Sequence, residues 1–557
     1  MFRKTSQKQQ IGIFTNPNSF LNNRSERFYE EKTSWHNLFR DQVTLRVEEA
    51  LFEPLYSKET GSPNAPVRVM VAMMILKEAS RWSDSQLFEQ CRYNLLVRRA
   101  LGLVNMDDAV PSESTYYLFR KRIVEHESQG NPNLLEEAFI SVTSGQARDF
   151  QVSGRSIRMD SKLLGSNIAW LSRYELVHET LRMFCSKTEF GGVEGLLTDQ
   201  EKNLIEVLVG EKGNKVVYRC SGDEIGTRLV DLGILAYRLL RLFEGSSTKY
   251  YKLLSRLFGE QFDVDGESNV LPRPKEAISS DSLQSPHDPD CDYRNKDGNQ
   301  IKGFSANVTE SCGNNGLDLI SGVDVVTAGT PDNVLLEKGL RQAGKVFGGA
   351  ADKVHADGAY HSTANQELAR NQNAELILSA IQGAKGRYDL NIGQNGQLEV
   401  TDLKTGQVLK VLKMRKKEKW RIKTEEHYRY FTEKEIEACR LRKKIEGIPQ
   451  EILNIRNNVE ATIFQLGYHY TNNKTRYRGH IKHKMWANIR CLWVNFSRIA
   501  KFMVKTGLKS ALTGYALEKH PQFKAPRKVF TIIITEIRAI MNLTKIQTKK
   551  IPLLGFP

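Results

Sequence analysis

The chain has 557 residues, 40% of them hydrophobic and 26% charged. This is the composition of a globular protein of three or four folding units, and it excludes a disordered tail or a small disulfide-stapled module. The net charge of +16 is concentrated: residues 401–557 hold 34 Lys+Arg against 12 Asp+Glu, a balance of +22, and the first 400 residues carry −6. A basic C-terminal region interleaved with Trp420, Tyr428, Tyr468, Tyr477, Trp486 and Trp493 points to a polyanionic partner, nucleic acid first.

Residues 1–50 read as an irregular or partly helical lead-in, beginning MFRKTSQKQQ with no apolar signal core. No apolar run in the chain reaches the ~18 residues of a membrane span. Residues 51–130 form a helical module. Within it, RVMVAMMIL (68–76) follows Pro66, and Ser83-Asp84 caps SDSQLFEQCRYNLLVRRALGL, a helix ending near Gly102. Pro111-Ser112 then opens SESTYYLFRKRIV, whose last turn is basic. Such a module contacts DNA or serves as simple helical packing. RSIRMDS (155–161) is a strand ending in Asp160, residues 167–260 are largely helical, and 262–300, rich in Pro, Gly, Ser and Asp, form a long loop. IKGFSANVTE (301–310) and LDLISGVDVVT (317–327) alternate like paired strands. A helix runs from Pro331 through Leu340, VHADGAY (354–360) is a strand entering a tight turn at Gly358, and a helix (362–371) and a strand (374–379) follow. From 383 to 431 the pattern is β, with one strand across GQVLKVL; 432–446 return to helix, 452–505 are long, basic and helical, and 506–557 make a basic tail. Seven scattered cysteines without a CxxC pair fit free thiols in a reducing cytoplasm and argue against a zinc framework.

Asp160 and Asp357 end predicted strands, and Glu460 lies on a predicted helix, in NNVEATIFQLG. Two such aspartates and a helical glutamate meet only if their strands are neighbours, as in a ribonuclease-H-like sheet. Three carboxylates at one point repel each other unless cations hold them, and all-oxygen ligands favour Mg²⁺ or Mn²⁺. Two such ions serve in-line phosphoryl displacement. Arg456, four residues before Glu460, shares its helix face and either touches a phosphate or pairs with Glu460.

Six stretches carry a family resemblance: LFEPLYSKETGSPNAPVRVMVAMMILKEASRWSDSQLFEQCRYN (51–94), STYYLFRKRI (114–123), IRMDSKLLGSNIAWLSRYELV (157–177), SPHDPDCDYRNKDGNQIKGFSANVTE (285–310), ADGAYHS (356–362) and RNNVEATIFQLGYHYTNNKTRYRGHIKHKMWANIRCLWVNFSRIAKF (456–502). In these the chain resembles DDE transposases of bacterial insertion sequences, in particular the insertion-sequence 1182 group. The resemblance implies an α/β protein with a ribonuclease-H-like mixed sheet over 150–382 and 446–505. It also implies a helical insertion and loop at 180–285, a β-rich insertion at 383–445 and an N-terminal helical DNA-binding domain. Asp160, Asp357 and Glu460 match the family's metal-binding trio. The Tyr-Arg-Glu-Lys signature is matched only in Arg456 and Glu460, because Leu453 and Gly467 stand at the Tyr and Lys positions. The implied activity is binding of double-stranded DNA at the element's ends, metal-dependent strand cleavage and joining of the 3′-OH to target DNA. It would use two Mg²⁺ or Mn²⁺ ions, in a homodimer at the bacterial nucleoid. The rival readings are a nuclease that does not join and an inactive DNA-binding relative.

Further DNA contacts are expected at Arg476, Arg478, Lys482 and Lys484 in TRYRGHIKHK, and at Lys413, Arg415, Lys416 and Lys417 in KMRKKEK. His480, His483 and Cys491 have no fourth ligand at suitable spacing and read as structural or phosphate-contacting. Asp288, Asp290 and Asp292 read as turn formers, Asn167 and Arg173 as shaping the fold, and His355 and His361 as groups flanking Asp357. No GxxxxGK[ST] motif is present, so no ATP dependence is expected.

Overall fold

The computed structural model describes Met1 to Lys519 apart from residues 6–10, 297, 314–315, 382, 384, 394–396, 415–418, 425–426 and 468–472, with side chains as far as Thr506. It is a mixed α/β structure built on a six-stranded sheet. The strands are β1 (Ser156–Gly165), β2 (Asp292–Lys296), β3 (Asn299–Ser311), β4 (Ile320–Thr327), β5 (Lys353–Ala356) and β6 (Glu375–Leu378). β3 pairs antiparallel with β1 along one edge. Along its other edge it pairs antiparallel with β2 over Asn299–Gly303 and with β4 over Phe304–Glu310. β1 then runs parallel to β5, and β5 parallel to β6. The parallel strands need crossovers, which the helices Leu336–Phe347 and Thr363–Asn371 supply.

Successive side chains on β1 point to opposite faces. Ile157 and Met159 pack under Leu336, Leu340 and Ala343. The helix Leu336–Phe347 lies close at Gly339, where a Cβ would fall 2.2 Å from the Met159 methyl. On the other face, Leu164, Phe304, Val308 and Val323 meet Trp486, Ile489, Leu492 and Phe496 of the long helix His480–Lys519. The N-terminal helices close over that helix. One of them, Val67–Ser80, is buried almost all round, as its unbroken apolar run requires.

Several boundaries differ from those expected. The lead-in is not separate: Phe39, Val43 and Val47, from the helix Trp35–Gln42 and the turn after it, share a core with Phe52 and Met70. The second helix breaks at Asn94, whose side chain takes the N–H groups of Leu96 and Val97 and so starts a new helix. Asp160 lies mid-strand, because β1 continues to Gly165 beside β3. The expected loop 262–300 holds a short hairpin (Phe262–Val264 with Val270–Pro272) and β2. GQVLKVL divides between two three-stranded sheets, at Val408–Leu409 and Leu412–Lys413. The long basic stretch is two helices, Gln450–Gly467 and His480–Lys519. Residues 171–283 carry their own core, centred on Val177, Leu181, Ala236, Leu239, Leu254 and Leu257. All seven cysteines are free thiols. No described helix is long and apolar enough to cross a membrane.

Candidate active site

Asp160 projects from the middle of β1 onto the face that carries Val308. Its Oδ1 accepts the Ser161 N–H at 2.8 Å. Asp357 follows β5 and begins a single turn, Gly358–Tyr360, accepting the Gly358 N–H at 2.6 Å. Gly358 has no left-handed backbone, so the turn does not need it for that. It is needed for closeness, since a Cβ there would sit 2.6 Å from the Ala380 carbonyl oxygen. Glu460 lies on Gln450–Gly467, the helix packed across β1.

The three carboxylates converge on one guanidinium. Arg456 Nη2 lies 2.8 Å from Asp160 Oδ2 and 3.8 Å from Asp357 Oδ2, and Nη1 lies 3.4 Å from Glu460 Oε1. The Arg456 side chain is 16% exposed, against 13% for Asp160, 37% for Asp357 and 64% for Glu460. Arg456 Nε is buried and donates to nothing among the described residues. Burial pushes the Asp160 carboxyl up; Arg456 and the Ser161 N–H pull it back, and Asp357 pushes it further up. Three negative charges thus face one positive charge. As they lie, no three or more His, Cys, Asp or Glu side chains among the described residues form a ready cage for a metal ion. At this site the Arg456 guanidinium occupies the space between the acids. The donors are all carboxylate oxygens with a net negative balance and two of the three chains partly exposed, which suits a hard divalent cation once the guanidinium withdraws.

A second polar group lies behind the trio and escaped the sequence reading. Glu310, fully buried on β3, accepts Arg158 Nε at 2.5 Å, Thr462 Oγ1 at 2.6 Å and Arg498 Nη1 at 2.7 Å. Arg158 also binds Asp318 at 3.2 Å and reaches the Ile455 carbonyl at 3.5 Å. Arg498 donates to Thr462 as well. Arg158 is two residues from Asp160 and Thr462 two from Glu460, so this network fixes the glutamate helix to the strand. Local sequence hides it, because Arg158 alternates with apolar Ile157 and Met159 as a surface residue would.

The other expected residues disperse. Arg476 Nη1 donates to the Trp82 carbonyl at 2.9 Å, Arg478 Nε to the Asn167 carbonyl at 2.6 Å, and Lys484 pairs with Glu127 at 3.2 Å. These groups join the chain to itself. Lys482 is exposed on the rim of a cleft of about 420 Å³ that Tyr117, Arg120 and Lys121 also line. Lys413 is exposed over the Trp420 ring, and Arg415, Lys416 and Lys417 lie outside the described residues. His483 is buried between Thr475 and the Gly479 carbonyl, and His480 reaches the Val325 carbonyl. Burial pushes the Cys491 thiol up to about 12. Asp288 accepts Ser166 Oγ and the Gly479 N–H, Asp290 the His480 N–H, and Asp292 the Gly329 N–H. Arg173 binds the Gln261 and Arg273 carbonyls. His355 is buried, with its pKa lowered to about 4 chiefly by desolvation.

Residues 27–122 match the family model described as "Transposase domain (DUF772)". The match takes in the helices from within Asn23–Glu30 to within Glu113–Ser128, so that part of the chain is similar to a transposase domain. No curated protein matches the chain, and no solved structure matches it.

Proposed function

We propose that the chain is a DNA transposase of the DDE type, in which Asp160, Asp357 and Glu460 bind two Mg²⁺ or Mn²⁺ ions. The convergence of these three acids, from a strand, a turn and a helix, on the Arg456 guanidinium carries the reading. The transposase-domain match supports it. So does the sheet, whose order β4-β3-β1-β5-β6, antiparallel then parallel, is the order expected of a ribonuclease-H-like core.

When bound, the ions would activate an attacking oxygen and stabilise a leaving one. The chain's own groups set where this happens. The backbone bonds to Asp160 and Asp357 fix those carboxylates before substrate arrives, and exposed Glu460 is free to adjust. Water attacks first and the freed 3′-OH second, so no covalent enzyme intermediate forms. Double-stranded DNA enters along the exposed side of the trio, with exposed Lys482 and Lys413 available for phosphates. Two ends held together call for a dimer.

The test uses DNA flanking the protein's own gene. Asp357→Ala should abolish Mg²⁺- or Mn²⁺-dependent cleavage, a loss of at least 10³-fold, and leave end binding within about twofold. Transposon-end DNA joined to a plasmid by the wild type supports transposition, and cleavage without joining leaves a nuclease. Cleavage surviving in Asp357→Ala refutes the site.

A further inference from the structure

We propose that Arg456 makes metal loading conditional on DNA. Its guanidinium serves as an internal counter-cation for the trio and leaves it only when a phosphate takes its place as partner. This deepens the function proposed above and rests on it.

The geometry shows a group engaged with all three acids and fully satisfied by none. Nη2 makes one good contact, with Asp160, and a longer one to Asp357, and Nη1 stands 3.4 Å from Glu460. Nε, facing away from solvent, makes no bond among the described residues. A divalent ion entering this space meets a fixed positive charge at contact distance, so the two compete for the same oxygens. To make way the Arg456 side chain must swing out, and the withdrawn guanidinium then needs an acceptor within its own reach. A scissile phosphate held at the trio is such an acceptor, with a bidentate geometry that carboxylates from three separate elements do not offer. Because binding linkage is reciprocal, DNA must then tighten metal binding by the same factor by which metal tightens DNA binding. The free protein keeps its acids partly compensated and its site metal-poor, so Mg²⁺ alone does not arm it.

Binding of Mn²⁺ to the full-length protein, followed by the electron paramagnetic resonance of the free ion, tests this without any turnover. Arg456→Gln should bind Mn²⁺ at least tenfold more tightly than the wild type in the absence of DNA. Duplex DNA from the gene's flank should tighten the wild type at least tenfold more than it tightens Arg456→Gln, whose remaining gain comes from phosphate oxygens on the ion itself. Thermal unfolding guards against a misfolded variant. Without metal, Arg456→Gln should melt below the wild type, because its acids repel unshielded, and Mn²⁺ should raise its Tm more than it raises that of the wild type. Arg456→Lys, which keeps the charge and loses the fork, should fall between the two. If Arg456→Gln binds Mn²⁺ no more tightly than the wild type while Asp160→Asn abolishes binding, the competition is refuted and the metal site stands. Mn²⁺ binding unaffected by Asp160→Asn overturns the site itself. DNA tightening both proteins equally overturns the linkage through Arg456.

Discussion

His483 shows how one side chain ties a basic segment to the interior. Its ring stacks obliquely on Phe304, with centroids 4.3 Å apart. Its Nδ1–H donates to the Gly479 carbonyl, which leaves Nε2 to accept Thr475 Oγ1. That pattern needs the neutral ring, and burial lowers its pKa from 6.5 to about 4. The unfolded chain therefore binds a proton between about pH 6.5 and 4 that the folded chain refuses. The stability contributed is full above pH 6.5 and is lost as the pH falls toward 4, by up to about 3 kcal/mol. His483→Gln should show a smaller drop in Tm between pH 7 and pH 4.5 than the wild type. Equal drops in a pH series of melting curves would show that acid lability arises elsewhere.

The glutamate helix is placed by charge as much as by apolar contact. Glu310 holds Arg158 from β1, Arg498 from the long helix and Thr462 from the glutamate helix itself. Taking away the acid leaves Arg498 without its counter-ion and Arg158 with Asp318 alone, at a cost of about 3–5 kcal/mol. Glu310→Gln keeps the shape and should lower stability in urea by an amount near that range. It should also loosen Mn²⁺ at the proposed site, although Glu310 itself does not touch the trio. A variant equally stable and equally metal-binding would remove the network from the account.

Asp160 and Asp357 drew notice because the local pattern changes at each, and Arg456 because four residues of helix place it over Glu460; Glu460 itself lies within a helix and stood out through the family resemblance of its segment. Glu310 did not, since a charged residue in an apolar strand reads as surface until its two arginines, far away in sequence, are in place. The intramolecular partners of Arg476, Arg478 and Lys484 were hidden for the same reason. Local sequence shows their charge, whereas Trp82, Asn167 and Glu127, the groups that claim them, are more than 300 residues distant. Asp160 looked like the end of a strand because the polar Ser161-Lys162 step breaks the alternation, and pairing with β3 carries the strand past it.

The chain is assembled from modules that leave the sheet and return to it. Gly165, at the end of β1, and Asp292, at the start of β2, both face Gly303 from opposite edges of β3, which puts them about 10 Å apart at two strand spacings. The helical insertion between them has its own core. Replacing residues 173–283 with a short Gly-Ser linker should leave a protein that unfolds cooperatively and retains Asp160-dependent Mn²⁺ binding, checked by calorimetry and metal titration. An aggregated product would mean that the sheet leans on the insertion for its stability.

The long helix has the opposite character, for it packs on the N-terminal helices and on the central sheet at once. Phe496 meets Phe39 edge-on, Asn495 bonds both the N–H and the carbonyl of Ile320, and Arg490 reaches the Glu78 carbonyl. During synthesis the early helices leave the ribosome with that seam open and must wait, greasy and unguarded, for a partner translated hundreds of codons later. A polypeptide released before residue 480 lacks the piece that closes both the seam and the sheet. Cellular proteases should clear such fragments, and only full-length copies should persist.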